Sequence, residues 1–449
     1  MKLINTKTLF LHDLFDTQIP EYAILSHTWG DEEISFQDWR ILEANRPPSR
    51  DTPPQPYLVT CNEGWVSQTT QKAGYKKIID FCRLCRQDGY SWAWVDTCCI
   101  DKSSSAELSE AINSMYKWYS HSRLCYVFLT DVSASRYGIP EVTAEDDDPS
   151  AWGPDRKLYS GPVDYDCYKR AGFASSRWFK RGWTLQELLA PSRVHFYDRD
   201  WKMIGTRFQL GGLLADITKI PAKVASYPFD NELHMSYSIA ERFSWASSRG
   251  TSRQEDVAYC LLGIFNVHLP LLYGEGGTRA FRRLQDEIIK RSTDHSILVW
   301  FVQDQQQVGD NAFNVTGPLL AESPKAFQNC GNLMCDPDEW DVQMRHYKEL
   351  KKSYAITNNG LDMELPIVCQ PCPDCFHGCR IALLDCWTPH GERLGIHIGS
   401  VSDTGQFERK HCDTVATIVM DESGLIEGHS PDIQKIYLTI EGHWMEEVD

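Results

Sequence analysis

Several groups of residues in this 449-residue sequence have the types and spacing to do chemistry. Asp96 and Asp101 flank Thr97-Cys98-Cys99-Ile100, and their carboxylates suit the hydroxyls of a ribose or a metal ion; alternatively, Asp96 ends a strand and caps the loop that follows. His27 and Trp29 follow an apolar run, where an imidazole can donate a hydrogen bond and an indole can stack on adenine or nicotinamide or pack into the core. Arg177, Lys180 and Arg181 precede a short helical pattern and, with its amino terminus, suit a pyrophosphate; the same residues also read as a solvated basic turn. Within that pattern Thr184-Leu185-Gln186-Glu187 fits a capping box, and a first-turn glutamate is kept ionised by the helix dipole.

Cysteines supply two further candidates. Cys369, Cys372, Cys375 and Cys379, with His377 and Cys386 nearby, fit a compact structural zinc site of four cysteines or of three cysteines and a histidine. A ferredoxin-type cluster fits less well because Arg380 stands where that run has proline, and a metal-free loop between strands is the third reading. Cys98 and Cys99 have no base near them in sequence to activate a thiol, so they read as small buried hydrophobes.

The elements that must position these groups follow from hydrophobic patterning. Tyr22 to Ser26, Trp92 to Asp96, Leu124 to Leu129 and Val194 to Tyr197 are apolar runs of strand length, and helical spacing of Ile78, Ile79, Cys82 and Cys85, then of Leu108, Ile112, Met115 and Tyr119, separates the first three. Strands alternating with helices predict an α/β fold with a parallel sheet, whose ligand side is the carboxyl ends of the strands. There Ser26 to Asp31, Asp96 to Asp101 and Thr130-Asp131 converge. The proline-bearing stretch from Arg46 to Gln71 and the acidic stretch from Ser133 to Asp166 read as surface loops. A helical pattern from Thr206 to Ser292 includes Phe281, Leu284, Ile288 and Ile289 on one face, and the remainder carries short β-like runs, among them Ile297 to Val302. The expected domains are an α/β core over 1–205, a helical extension over 206–292 and a β-rich domain over 293–449.

Composition narrows the function classes. With 45 Lys and Arg against 62 Asp and Glu the net charge is −17, which makes nucleic acid a poor partner. No apolar run reaches the ~20 residues of a membrane span, and Asp13 and Asp16 interrupt any signal-peptide core, so a cytoplasmic protein with reduced thiols is expected. No G-x-x-x-x-G-K-[ST] run is present, which removes a P-loop nucleotide switch.

Tyr22-Ala-Ile-Leu-Ser-His-Thr-Trp-Gly30, Trp94-Val-Asp-Thr-Cys-Cys-Ile-Asp101 and Ser176-Arg-Trp-Phe-Lys-Arg-Gly-Trp-Thr-Leu-Gln-Glu-Leu-Leu-Ala-Pro191 resemble the signature blocks of the fungal heterokaryon incompatibility (HET) domain. The resemblance continues through Asp256 to Phe265 and Leu271 to Gly276. It implies a part in non-self recognition and regulated cell death. A further likeness, to TIR domains, rests on the strand entering Ser-His-Thr-Trp-Gly-Asp and on Ser-x-Trp leading to Glu-Leu on a helix; it implies a TIR-like, flavodoxin-like core in which Glu187 is the catalytic residue for NAD cleavage. Around it, Ser26, His27, Trp29, Asp96, Asp101, Arg177, Trp178 and Arg181 are the expected substrate-binding residues. NAD or a related nucleotide is then the substrate, and self-association or a recognition protein supplies control. The competing expectation is a non-enzymatic module that signals by assembly.

Overall fold

The computed structural model describes residues 1–15, 19–45, 63–134, 165–226, 233–301, 318–334, 354–370, 379–400, 406–410, 415–418 and 432–438. The chain forms two units, Met1–Leu233 with Cys260–Gly263, and His234–Tyr259 with Ile264–Asp449.

The first unit is built on one sheet of β1 (Lys2–Asn5), β2 (Leu11–Asp13), β3 (Ala23–His27), β4 (Trp92–Trp94), β5 (Leu124–Leu129), β6 (Val194–Asp198) and β7 (Met203–Thr206). Across the sheet the order is β2-β1-β4-β3-β5-β6-β7. The central strands β4, β3, β5 and β6 are parallel, and antiparallel β1, β2 and β7 extend the two edges. β3 and β5 are buried at every residue, as continuous apolar strands covered on both faces must be. The sheet core expected from the sequence is therefore present.

Its helices are α1 (Phe36–Ala44), α2 (Glu63–Gln71), α3 (Ala73–Gln87), α4 (Ser105–Ser120), α5 (Tyr165–Arg170), α6 (Trp183–Leu189), α7 (Gly211–Thr218) and α8 (Ala222–Ser226). Ser35 and Asp38 form a reciprocal capping box that starts α1, and Ser104 caps α4. The chain passes from β3 to β4 on one side and then to β5 on the other, so right-handed crossovers put α3 on one face of the sheet and α4 and α6 on the opposite face. The strand order thus reverses at β3, and a crevice opens between the carboxyl ends of β3 and β5.

Two loop expectations are corrected. Glu63–Gln71 is helix α2: the prolines of the preceding stretch stop at Pro56, and nothing after it removes a helical donor. Likewise Tyr165–Arg170 forms α5 at the end of the second expected loop. Residues 46–62 and 135–164, including the acidic run, lie outside the described residues.

In the second unit α9 (Ile239–Ser244), α10 (Asp256–Tyr259) and α11 (Gly277–Ile289) precede β8 (Ala355–Thr357), β9 (Gly360–Gln370), β10 (Cys379–Trp387), β11 (Arg393–Ser400), β12 (Gln406–Arg409), β13 (Ala416–Ile418) and β14 (Asp432–Leu438). On α11, Phe281, Leu284, Ile288 and Ile289 are buried, as their spacing predicts. β9 pairs with β14 through Leu361–Ile367 and with β10 through Ile367–Gln370, so the pairings β9-β10-β11-β12-β14-β9 close on themselves, with β8 added on β9 and β13 on β11. The strand expected at Ile297 to Val302 is corrected up to residue 301, Val302 lying outside the described residues: His295–Leu298 is a 3-10 turn whose Ser296 amide donates to Asp294, and the buried Arg409 guanidinium satisfies the Leu298 and Trp300 carbonyls at 3.0 and 2.7 Å. Of the expected zinc cysteines, Cys372 and Cys375 lie outside the described residues, and only the backbones of Cys369 and Cys379 are described, near the end of the β9–β10 hairpin.

The first turn of α3 touches the 31–34 loop backbone to backbone. A Cβ on Gly74 would stand 2.4 Å from the Glu32 carbonyl oxygen and 2.9 Å from Glu33 Cα. Neither atom can move without shifting the loop, so Gly74→Ala is expected to destabilise the first unit by about 1–3 kcal/mol, read as a lower urea midpoint at unchanged slope.

Candidate functional site

Glu187 owes its position to the end of β5. There the Asp131 carboxylate accepts bonds from Ser176 Oγ (2.7 Å) and the Arg177 amide (2.8 Å), which pins a 3-10 turn, Arg177–Lys180, ahead of α6. Trp178 of that turn is fully buried, edge-on to Phe179 and Phe196, and its Nε1 donates to Ser26 Oγ at 2.8 Å. An indole nitrogen only donates. The Ser26 hydroxyl must accept there, so its own proton points to Glu187 Oε2 at 2.5 Å. Trp178, Ser26 and Glu187 form a chain of fixed polarity that ends on a carboxylate.

The capping-box reading of Thr184 and Glu187 is corrected. The helix begins two residues earlier, with Gly182 at the cap and no side chain bonded there; Thr184 lies inside it, its hydroxyl 2.9 Å from the Arg181 carbonyl. Glu187 consequently falls in the second turn and faces β3.

On a strand, neighbouring residues point to opposite faces. Ser26 turns toward α6, and His27 turns toward α3. Lys77 Nζ lies 2.8 Å from His27 Nδ1 and 2.5 Å from Glu33 Oε1, while His27 Nε2 lies 3.0 Å from Asp96 Oδ1. An ammonium can only donate, so Nδ1 accepts and the ring proton resides on Nε2, bonded to Asp96. Burial and then the Lys77 charge lower the His27 pKa, against the opposing pull of Asp96 and Glu33, so this imidazole is neutral. Burial also lowers Lys77, with Glu33 resisting. For Asp96 burial acts upward, but the His27 hydrogen bond together with the Lys102 and Arg181 charges outweighs it and holds the carboxyl well below the usual carboxylate range.

Asp96 does not cap its own loop. Its second oxygen accepts the Trp29 indole proton at 2.8 Å. Trp29 is 44% exposed, with Lys102 Nζ 3.7 Å and the Arg181 guanidinium 5.5 Å from its ring centroid. Together, Trp29, Asp96, Lys102 and Arg181 form one polar rim. Burial, and then the Glu187 charge, push up the phenol of Tyr119 on α4, with smaller upward contributions from Cys125 and Asp96 and a small opposing pull from Arg181. Tyr119 itself donates to the Leu25 carbonyl at 3.0 Å.

Other expected site residues are placed differently. Ser26, His27 and Trp178 are buried and hold their neighbours instead of presenting polar atoms to solvent. Asp101 is engaged in a turn, accepting from the Ser103 hydroxyl (2.6 Å), the Ser103 amide (3.0 Å) and Gln37 (2.8 Å), and those bonds, the Ser103 side chain first, lower its pKa. Arg177 points instead into a cleft of about 760 Å³ together with Thr28, Gly30, Thr130 and Lys77; Glu187 and Asp96 are not among its walls. Cys98 and Cys99 are buried thiols, and burial pushes Cys98 well above the ordinary thiol range, so it is no nucleophile. Sequence reasoning missed Lys77 and Glu33. The available signal was a lysine on the same helical stripe as Ile78 and Phe81.

A histidine held neutral by burial titrates below its unfolded value, so the unfolded chain takes up more protons than the folded one. The stability this contributes is present above the unfolded histidine pKa near 6.5 and is lost as pH falls toward the lower folded value. Between pH 7 and 5 the urea midpoint is expected to fall more steeply for the parent chain than for His27→Gln. Parallel curves for the two would remove the neutral-imidazole assignment.

Residues 22–187 match the family described as heterokaryon incompatibility protein (HET), and residues 279–377 match a domain of unknown function, DUF8212. Vegetative incompatibility protein HET-E-1 of Podospora anserina is 41% identical over 281 residues, covering 62% of this chain and 17% of that protein. No solved structure matches. The chain carries a heterokaryon incompatibility (HET) domain, and the matched segment runs from the residue preceding β3 to Glu187 itself.

Proposed function

We propose that this chain acts as an effector of heterokaryon incompatibility, a regulated cell-death response to non-self, and that its α/β core hydrolyses the nicotinamide–ribose bond of NAD or a related nucleotide. The name of the HET-E-1 relative supports the biological role. The observation that carries the chemistry is the Trp178–Ser26–Glu187 chain, which directs a carboxylate to the ligand side of a parallel sheet. The sheet's 2-1-3-4 order of parallel strands supports a flavodoxin-like, TIR-like reading of the core.

The reaction asks little of the protein beyond this. The nicotinamide nitrogen is already a pyridinium, so as the N-glycosidic bond breaks, its electron pair returns to the ring and neutral nicotinamide leaves without a proton donor. Water adds to the ribose carbon and releases a proton. A carboxylate ~4 Å from the oxocarbenium-like carbon, at an effective dielectric near 20, stabilises that charge by about 4 kcal/mol, roughly a thousandfold in rate. Trp29 offers a ring for a base, and Arg181 with Lys102 offers positive charge for phosphate oxygens.

One observation favours assembly as part of the mechanism. Among the described residues, Glu187 lines neither of the two clefts given by Thr28 to Trp201 and by Ile19 to Arg123. Contacts from a second copy or a partner would complete the site, or in the non-enzymatic reading would themselves be the signal.

Glu187→Gln preserves shape and removes the charge. It is expected to lower nicotinamide release about a thousandfold in folded protein assayed at high concentration, where self-association can occur. Trp178→Phe, which removes the donor to Ser26 and keeps a ring in the core, is expected to lower the rate by a smaller factor while leaving KM for NAD nearly unchanged. Equal turnover by the parent chain and Glu187→Gln would exclude the catalytic assignment. Cell death that survives Glu187→Gln would point to assembly alone.

A further inference from the structure

The cleft of about 760 Å³ lies on the α3 side of the first unit, at the reversal of strand order between β3 and β5, and is separate from the Glu187 side of the sheet. Open α/β sheets place ligands at such reversals. Its volume falls within the range of small-molecule sites.

One wall is Trp201, whose ring stacks on Phe128 with centroids 4.4 Å apart and planes at 22°. Trp201 sits in the reversal between β6 and β7, where Asp198 accepts from the amides of Asp200 and Lys202 at 2.9 Å and from that of Ala134 at 2.8 Å. Its φ is 59°, a left-handed position that glycine, asparagine or aspartate fills at less cost than a bulky residue. The ring also packs near Phe81 (6.3 Å, 15°) and Tyr197 (5.9 Å, 51°), and its remaining, half-buried surface lines the cleft.

Cationic side chains reach the same cleft from separate elements. Arg177 and Arg199 are 66% and 56% exposed, and their carboxylate partners, Asp131 and Asp200, stand at 3.8 and 3.7 Å, beyond hydrogen-bond distance, which leaves guanidinium donors for a ligand. The Thr130 hydroxyl lies beside Arg177. Five carboxylates and five cationic side chains line the cleft, so it balances in charge and suits a ligand with one anionic group better than a polyphosphate.

The geometry points to a binding site for a nucleoside monophosphate, its base stacked on Trp201 and its phosphate held by Arg199 and Arg177. Stacking supplies sequence-tolerant affinity for the base, and the guanidinium pair selects the phosphorylated form. The site stands whether or not Glu187 hydrolyses NAD.

Isothermal titration of the full chain with adenosine monophosphate, adenosine and inorganic phosphate tests this. Saturable binding of the monophosphate at one per chain is expected, with adenosine and phosphate each about tenfold weaker or worse. Trp201→Gly suits the left-handed backbone while deleting the ring, and is expected to weaken the monophosphate about tenfold. Arg199→Met, an exposed change that leaves the hairpin bonds intact, is expected to bring its affinity down to that of adenosine. Glu187→Gln should bind it like the parent chain. Absence of binding at millimolar concentration, binding indifferent to both cleft variants, or binding lost in Glu187→Gln would each overturn the assignment.

Discussion

The carboxyl end of β3 carries the first unit's chemistry because Ser26 and His27 are consecutive and must face opposite sides of a sheet covered on both. Each is buried, and a buried polar side chain has to be satisfied. Ser26 is satisfied between a donor that cannot accept and a carboxylate that cannot donate. His27 is satisfied between an ammonium and a carboxylate, which leaves one tautomer. Two neighbouring residues thereby orient Glu187 on one face and Asp96 with Trp29 on the other.

Burying Lys77 at 7% exposure is costly unless its charge is met, and Glu33 meets it at 2.5 Å. The arrangement ties α3, the 31–34 loop and β3 together through a hydrogen-bonded chain, and the close approach at Gly74 lets those segments come near enough to form it. Removing Glu33 would leave the Lys77 ammonium as an uncompensated buried charge, and the bonds through His27 and Asp96 carry this fixed arrangement to the rim on which Trp29 is held. A half-exposed indole fixed by its own nitrogen is well suited to recognition, since little rotamer freedom remains to be lost on binding.

The second unit solves a different problem. Five of its strands close into a cycle of pairings, so the edges of those five, which would otherwise template aggregation, are absorbed within one chain. Where the chain carries strand-like residues but must turn, at His295–Leu298, Asp294 and the guanidinium of Arg409 satisfy backbone groups that a strand partner would have taken.

Sequence alone determined the parallel core, because strands buried on both faces read as unbroken apolar runs, as Leu124 to Leu129 does, and because crossover helices such as α3 and α4 declare themselves by periodicity. It also singled out Ser26, His27, Trp29, Asp96, Arg181 and Glu187, which motif and strand-end position place at one rim. Tertiary structure decided what each of them does. Whether Thr184 caps a helix or Glu187 reaches β3 depends on a two-residue shift in where α6 begins, behind a turn pinned by the distant Asp131. That Trp178 is a buried donor, that Lys77 and Glu33 meet at His27, and that Trp201 faces a cleft all depend on contacts between residues far apart in the chain. Local propensity is blind to these, since a hydrogen bond across the sheet leaves no period in the sequence.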